Sequence, residues 1–176
     1  DACRQMGFAY IYLTTNGVYA EKERIKRLCE LGLSSIKFSV DAATRKTYET
    51  IHGKDDFDIV KKNLFDVLSI KNEGMSLGVF ASFCVVKQNE NEIGLFQEMF
   101  GRHLDDVDID LAMEQGGDTP ELLSELIDPT RRLSQTPCER IFNRLHVTYE
   151  GYLDACCIDI DNMLAYADLT KVPLKE

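Results

Sequence analysis

Nothing in this 176-residue sequence approaches the run of ~20 apolar residues that a membrane-spanning helix needs, and no secretory signal is visible in it. Basic residues are in short supply: 20 Lys and Arg stand against 30 Asp and Glu, a net charge of −10. Binding along a phosphate backbone runs on Lys and Arg, so no nucleic-acid partner is expected, although a local basic groove stays open. Neither a glycine-rich dinucleotide fingerprint nor a phosphate loop occurs at any strand–helix turn. Tryptophan is absent from an otherwise ordinary composition, 44% hydrophobic and 28% charged. The six cysteines are scattered and do not read as a secreted disulfide framework. The expectation is a soluble cytoplasmic protein with reduced thiols. A chain of this length buries roughly 70% of its unfolded surface, so its core needs no cross-links.

What is present is alternation. Phe8 to Leu13 (FAYIYL) reads as a short buried strand, closed by the turn Thr14-Thr15-Asn16-Gly17. Ile25, Leu28 and Cys29 recur at helical spacing up to Gly32, and Ile36 to Val40 reads as a second strand. Asp41 opens a helical stretch that ends at His52-Gly53. A longer helix is predicted from Phe57 to Glu73, with Phe57, Val60, Leu64, Val67 and Leu68 on its apolar face. Leu77 to Val86 gives a third strand with Cys84 in the core, Glu92 to Phe100 a helix, and Val107 to Leu111 a fourth strand. Strands that alternate with helices pair in parallel through right-handed crossovers. Polar residues gather after the strands: Asn16, then Ser39 and Asp41, then Lys87 and Asn89. Barrels of this kind bind ligands at that edge, while each residue taken singly also suits a turn or a cap. From Gln115 to Thr136 the alternation stops, and Thr119-Pro120 starts a short amphipathic helix in a connecting segment.

The last third holds Cys138-x12-Gly151-x4-Cys156-Cys157. Leu145, Val147 and Tyr149 alternate with His146 and Thr148, Glu150-Gly151 supplies a turn, and Tyr152 to Cys157 reads as a returning strand. Such a hairpin draws Cys138 and Cys156 together, which suits a shared metal or an iron–sulfur cluster. On spacing alone, buried thiols, a disulfide and half of a zinc site stay open.

Taken together, IYLTTNG, SSIKFSVDAATRKTYETIHG, VVKQNENEI and CERIFNRLHVTYEGYLDACCIDID resemble the middle and later part of a radical S-adenosylmethionine (radical SAM) enzyme. The tail is similar to the start of the cysteine-rich SPASM or twitch extension. The resemblance implies an α/β fold: a partial (β/α), TIM-like barrel followed by a short cysteine-bearing β-hairpin extension. It sets expected boundaries at 1–114 for the barrel, 115–136 for the linker and 137–176 for the first half of the auxiliary iron–sulfur domain. It implies an oxidoreductase in which [4Fe–4S] clusters and SAM generate a 5′-deoxyadenosyl radical that abstracts hydrogen from a peptide or sugar-like substrate. A flavodoxin or ferredoxin would act as reductant. Carried over by position, Asn16, Ser39, Asp41, His52 and Asn89 are the expected cofactor-binding residues, and Cys138, Cys156 and the adjacent Cys157 the expected metal ligands. His52-Gly53 stands where the family often has Arg-Gly, and the C-x3-C-x2-C loop of the catalytic cluster does not occur. The expectation is therefore a piece of an enzyme, inactive alone, with an edge strand at Phe8 to Leu13 open to homodimerisation. The alternative is a non-catalytic metal-binding or metal-free α/β binding module.

Overall fold

Strict alternation of Ile36, Phe38 and Val40 with Lys37 and Ser39 assigns one face of the second strand to a core and the other to polar surroundings. The computed structural model, which describes residues 2–112, 125–126 and 138–174, builds a sheet on that division. Its strands are β1 (Tyr12–Thr15), β2 (Ser35–Ser39), β3 (Gly78–Val85) and β4 (Asp106–Leu111), in the order β1-β2-β3-β4 with every pair parallel. The helices that accompany this sheet are α1 (Ala2–Gln5), α2 (Lys22–Glu30), α3 (Arg45–His52), α4 (Phe57–Asn72) and α5 (Ile93–Phe96), the last continued by a π-helical turn at Gln97–Gly101. The chain divides into two compact units, Asp1–Leu111 and Ala112–Glu176. It is an α/β protein with a parallel four-stranded sheet and a separate small antiparallel sheet, consistent with part of a radical SAM fold.

In the first unit the register places Ile36 beside Val79, and Phe38 between Thr15 and Ala81. With Phe83 and Val85 these residues form the covered face, packed against Ile25 of α2, Tyr48 of α3, Val60, Leu64 and Val67 of α4, and Phe96 of α5. α4 shows the apolar stripe read from its sequence, with Ile70 buried and Leu68 only partly so. The opposite face carries Lys37, Ser39, Phe80, Ser82, Cys84, Asp108 and Asp110, none of them buried. An ion pair spans it, Lys37 Nζ to Asp108 Oδ2 at 2.9 Å.

Several expectations are corrected. The first strand starts at Tyr12, not Phe8, and it is not buried: Phe8, Tyr10 and Tyr12 are more than half exposed. Among the described residues β1 is an edge strand with a partner on one side, and the helices pack over β2 and β3. Cys84 lies outside the core because strand alternation turns it to the polar face. Asp41 does not begin a helix; its φ of +57° is left-handed, and Thr44 is the N-cap of α3.

The second unit carries β5 (His146–Val147), β6 (Tyr152–Asp154) and β7 (Ala165–Asp168), antiparallel in the order β5-β6-β7. Gly151 makes the expected turn at φ +94°. The returning strand stops at Asp154 and does not reach Cys157, because Asp154 Oδ1 captures the Cys156 N–H at 2.7 Å and bends the chain. β7 has no counterpart in the sequence reading. Apart from Glu125 and Leu126, the segment expected as a linker with a short helix lies outside the described residues.

The turn after β1 tests how tightly the first unit is built. Gly17 has φ +83°, and a Cβ there would lie 2.7 Å from Phe38 Cδ1 and 3.0 Å from Val60 Cγ1. Gly17→Ala combines a left-handed penalty with overpacking, and the expected loss is about 2–4 kcal/mol in a chemical denaturation curve. A loss below about 1 kcal/mol would show that the loop shifts freely against α4.

Candidate functional site at the C-terminal edge of the parallel sheet

The C-terminal ends of β1, β2 and β3 hold the polar residues singled out from the sequence. Asn16 closes β1 with an Asx turn, its Oδ1 accepting the Val18 N–H at 3.2 Å. Behind it, the buried Asn63 of α4 donates to the carbonyls of Gly17 (2.9 Å) and Val18 (3.1 Å) and pins the loop to the helix. Beyond β2, Asp41 Oδ1 accepts the Cys84 N–H at 2.7 Å. Its Oδ2 lies 3.6 Å from His52 Nε2, and that nitrogen stands 3.1 Å from the Val40 carbonyl. Burial pushes the Asp41 carboxyl up, against the pull of the Cys84 N–H and of His52.

Asn89 is fully buried. Its Nδ2 donates to the carbonyls of Asp41 and Cys84, each at 2.8 Å, and its Oδ1 accepts the Val86 N–H at 2.8 Å. It therefore stitches the end of β2 to the end of β3. Glu92 follows it and caps α3. Its Oε2 accepts from the Ala43 and Thr44 N–H groups (2.7 and 3.1 Å), and its Oε1 from the hydroxyls of Thr44 (2.7 Å) and Thr47 (2.5 Å).

A cleft of about 440 Å³ opens at this edge, lined by Asn16, Val18, Tyr19, Tyr48, His52, Lys54 and Asp56. The structure thus brings Asn16 and His52 together in one cleft and sets Asp41 behind His52. Asn89 supports from within the fold. Ser39 faces the polar side of the sheet opposite Ser82 and does not line the cleft. Sequence reasoning missed Asn63 and Glu92. A polar residue inside the apolar stripe of α4 was a usable signal for Asn63. Glu92, in a run of Glu and Asn, carried none.

In the second unit Cys138, Cys156 and Cys157 are free thiols, with Cys156 half-buried and the other two exposed. Arg140 Nη1 lies 3.6 Å from Cys157 Sγ. Among the described residues no group of three or more His, Cys, Asp or Glu side chains is arranged to hold a metal ion. As placed, the three thiols do not fit a cluster. Among the described residues, too, no helix is long and apolar enough to cross a membrane.

An α/β unit with a polar cleft at the carboxyl edge of its parallel strands is a ligand-binding arrangement. No family model matches the chain. It is 26% identical over 183 residues to a probable GTP 3′,8-cyclase of Methanococcus maripaludis strain C5, a match covering 88% of this chain and 61% of the relative. A second probable GTP 3′,8-cyclase, from strain C6, is 23% identical over 186 residues, covering 90% of this chain and 62% of the relative. The 7,8-dihydro-6-hydroxymethylpterin dimethyltransferase of Methanocaldococcus jannaschii is 33% identical over 92 residues, 52% of this chain and 18% of the relative. The chain spans about three fifths of the cyclases and under a fifth of the methyltransferase. These distant relatives are radical SAM proteins.

Glu92 gives the edge a pH signature. Partial burial opposes its charge, but the Thr47 and Thr44 hydroxyls and the Ala43 and Thr44 N–H groups outweigh it and hold the carboxyl below its ordinary value of 4.5. A carboxyl lowered on folding adds stability that is complete above the unfolded value and drains as pH falls through the folded one. Wild type should therefore lose stability more steeply than Glu92→Gln below about pH 4.5 in urea denaturation at stepped pH. Parallel acid limbs would remove Glu92 from this account.

Proposed function

We propose that this chain is part of a radical SAM oxidoreductase, contributing strands β1 to β4 of a partial barrel and, at 137–176, the first half of an auxiliary iron–sulfur domain. Its substrate class is a peptide or sugar-like small molecule, its reductant a flavodoxin or ferredoxin, and its compartment the cytoplasm. SAM with a [4Fe–4S] cluster would supply the radical chemistry; the residues described here supply position. The observation that carries the reading is the joining of Asn16, Asp41, His52 and Asn89 at the carboxyl edge of one parallel sheet. Those residues lie in the segments that resemble the family, and the likeness to the cyclases runs over 88% of the chain. Asn16 and His52 would contact a ligand in the cleft, Asp41 would set His52, Asn89 would fix the strand ends, and Ser39 would face a ligand from the polar side of the sheet. Cys138, Cys156 and Cys157 are proposed as auxiliary-cluster ligands that come together only in the loaded protein.

The second reading is a non-catalytic metal-binding or metal-free α/β binding module, supported by the fact that no three ligand side chains are grouped among the described residues. Anaerobic reconstitution of the longest reading frame containing this chain separates the two. Iron and sulfide at about four per cluster, with 5′-deoxyadenosine released from SAM, support the enzyme. Loss of one cluster's iron in a Cys138→Ala, Cys156→Ala variant would place the auxiliary site. Neither iron nor SAM cleavage would leave the binding module.

The edge of β1 is proposed as a homodimer contact of this chain, because an unpaired strand edge templates further pairing. Sedimentation at rising concentration should show a dimer that Thr14→Pro, at an N–H that points away from β2, abolishes. A monomer throughout would end that proposal.

A further inference from the structure

The cleft contains a basic nitrogen whose orientation is set from behind. A carbonyl only accepts, so His52 Nε2, 3.1 Å from the Val40 oxygen, carries the proton. Asp41 Oδ2 lies 3.6 Å from the same nitrogen and favours that proton there. The ring stacks on Tyr48 at 4.3 Å between centroids, and the side chain is 24% exposed. Two contacts to the end of β2 and one within α3 thus fix both ring plane and tautomer. In the neutral ring Nδ1 is then a lone-pair acceptor, and among the described residues no hydrogen bond reaches it.

We propose that His52 presents Nδ1 to the cleft as the acceptor for a ligand hydroxyl, with Val40 and Asp41 as the groups that position it. A hydroxyl both donates and accepts, and the cleft offers both complements. Asn16 has its Oδ1 engaged by the Val18 N–H, which leaves its amide hydrogens as donors beside the His52 acceptor. Lys54 and Asp56 bring one charge of each sign to the lining, so the site as a whole selects no net ligand charge. The groups that face His52 are Asp41 from the end of β2, Tyr48 from α3, Lys54 and Asp56 from the α3–α4 loop, and Asn16 and Tyr19 from the loop after β1. Protonation of Nδ1 turns the acceptor into a donor, so the ligand is held by the neutral ring and released as the imidazole charges.

The proposal deepens the radical SAM reading and takes its probe from it: adenosine, which carries a ribose diol. The test is ¹⁵N-histidine NMR on the intact protein, with His52 assigned by difference against His52→Gln and compared with His103 and His146. The free protein should show the Nε2–H tautomer at His52. Adenosine should shift the Nδ1 resonance. His52→Gln keeps an amide donor for Val40 and loses the ring acceptor, so it should stay folded and bind adenosine at least tenfold more weakly. Asp41→Asn should alter the His52 tautomer ratio and leave His103 unmoved. An Nδ1–H tautomer overturns the proposal, and so does adenosine bound with an unchanged Nδ1 resonance. SAM cleavage in a protein whose His52 ignores adenosine overturns it while the enzyme reading stands. A responsive His52 without SAM cleavage supports it while that reading falls.

Discussion

Burial of one face of the parallel sheet against α2 to α5 orients every strand side chain in the first unit. With Ile36, Phe38, Val79, Ala81 and Phe83 committed to that face, Lys37, Ser39, Ser82, Cys84, Asp108 and Asp110 have to stand on the other. A slip of one residue would put Lys37 under α4 and expose Phe38, a cost of several side-chain burials at about 2 kcal/mol each plus a buried ammonium. The polar face and its Lys37–Asp108 pair are therefore consequences of the core.

At those ends the chain leaves regular structure, and side chains replace the sheet's hydrogen bonds. Asp41 adopts a left-handed φ, which costs a non-glycine residue about 1–2 kcal/mol. Its carboxylate bonds to the Cys84 N–H and its carbonyl accepts from Asn89, so the strained residue is held from both sides. Glu92 then secures the first turn of α3, the helix whose last residue is His52. Asn89 and Glu92 are three residues apart in one short segment, and between them they govern the position of a histidine some forty residues away in sequence without touching it.

The sequence showed the strand–helix order because hydrophobic period is a local property: FSV, the stripe from Phe57 to Val67, and LGVFASFCVV each declare their period within a few residues. It misjudged Phe8 to Leu13 and Cys84 because burial depends on which elements a strand meets, and period alone does not say which side the helices take. Thr44 as the cap of α3 was obscured by Asp41, an equally good cap residue that the structure uses to bond across to β3 instead. The cleft was legible as a set of polar residues after strands. What the sequence withheld was the division of labour, with Asn16 and His52 at the surface of the cleft, Asp41 behind and Asn89 beneath. That division rests on contacts 43 to 48 residues apart, such as Cys84 to Asp41 and Asn89 to Asp41.

The second unit follows a different logic. Its strands are two to four residues long, and Ala112 and Leu153 are the apolar side chains there that are buried among the described residues. Asp154 is buried as well, and its Oδ2 and the Nε2 of His146, directly opposite in the register, have no partner among the described residues. Each such atom costs about 1–3 kcal/mol. Turns closed by side chains recur through the described part of the unit: Asp154 on the Cys156 N–H, Asp159 on the Leu164 N–H at 2.6 Å, Asp168 on the Thr170 N–H at 3.0 Å, and Thr148 on the Tyr152 N–H at 3.2 Å. Cys156 and Cys157 sit inside that run of turns and off the sheet. Their placement is therefore set by loop conformation, the cheapest kind of structure to change, whereas the polar cleft of the first unit is set by a packed core.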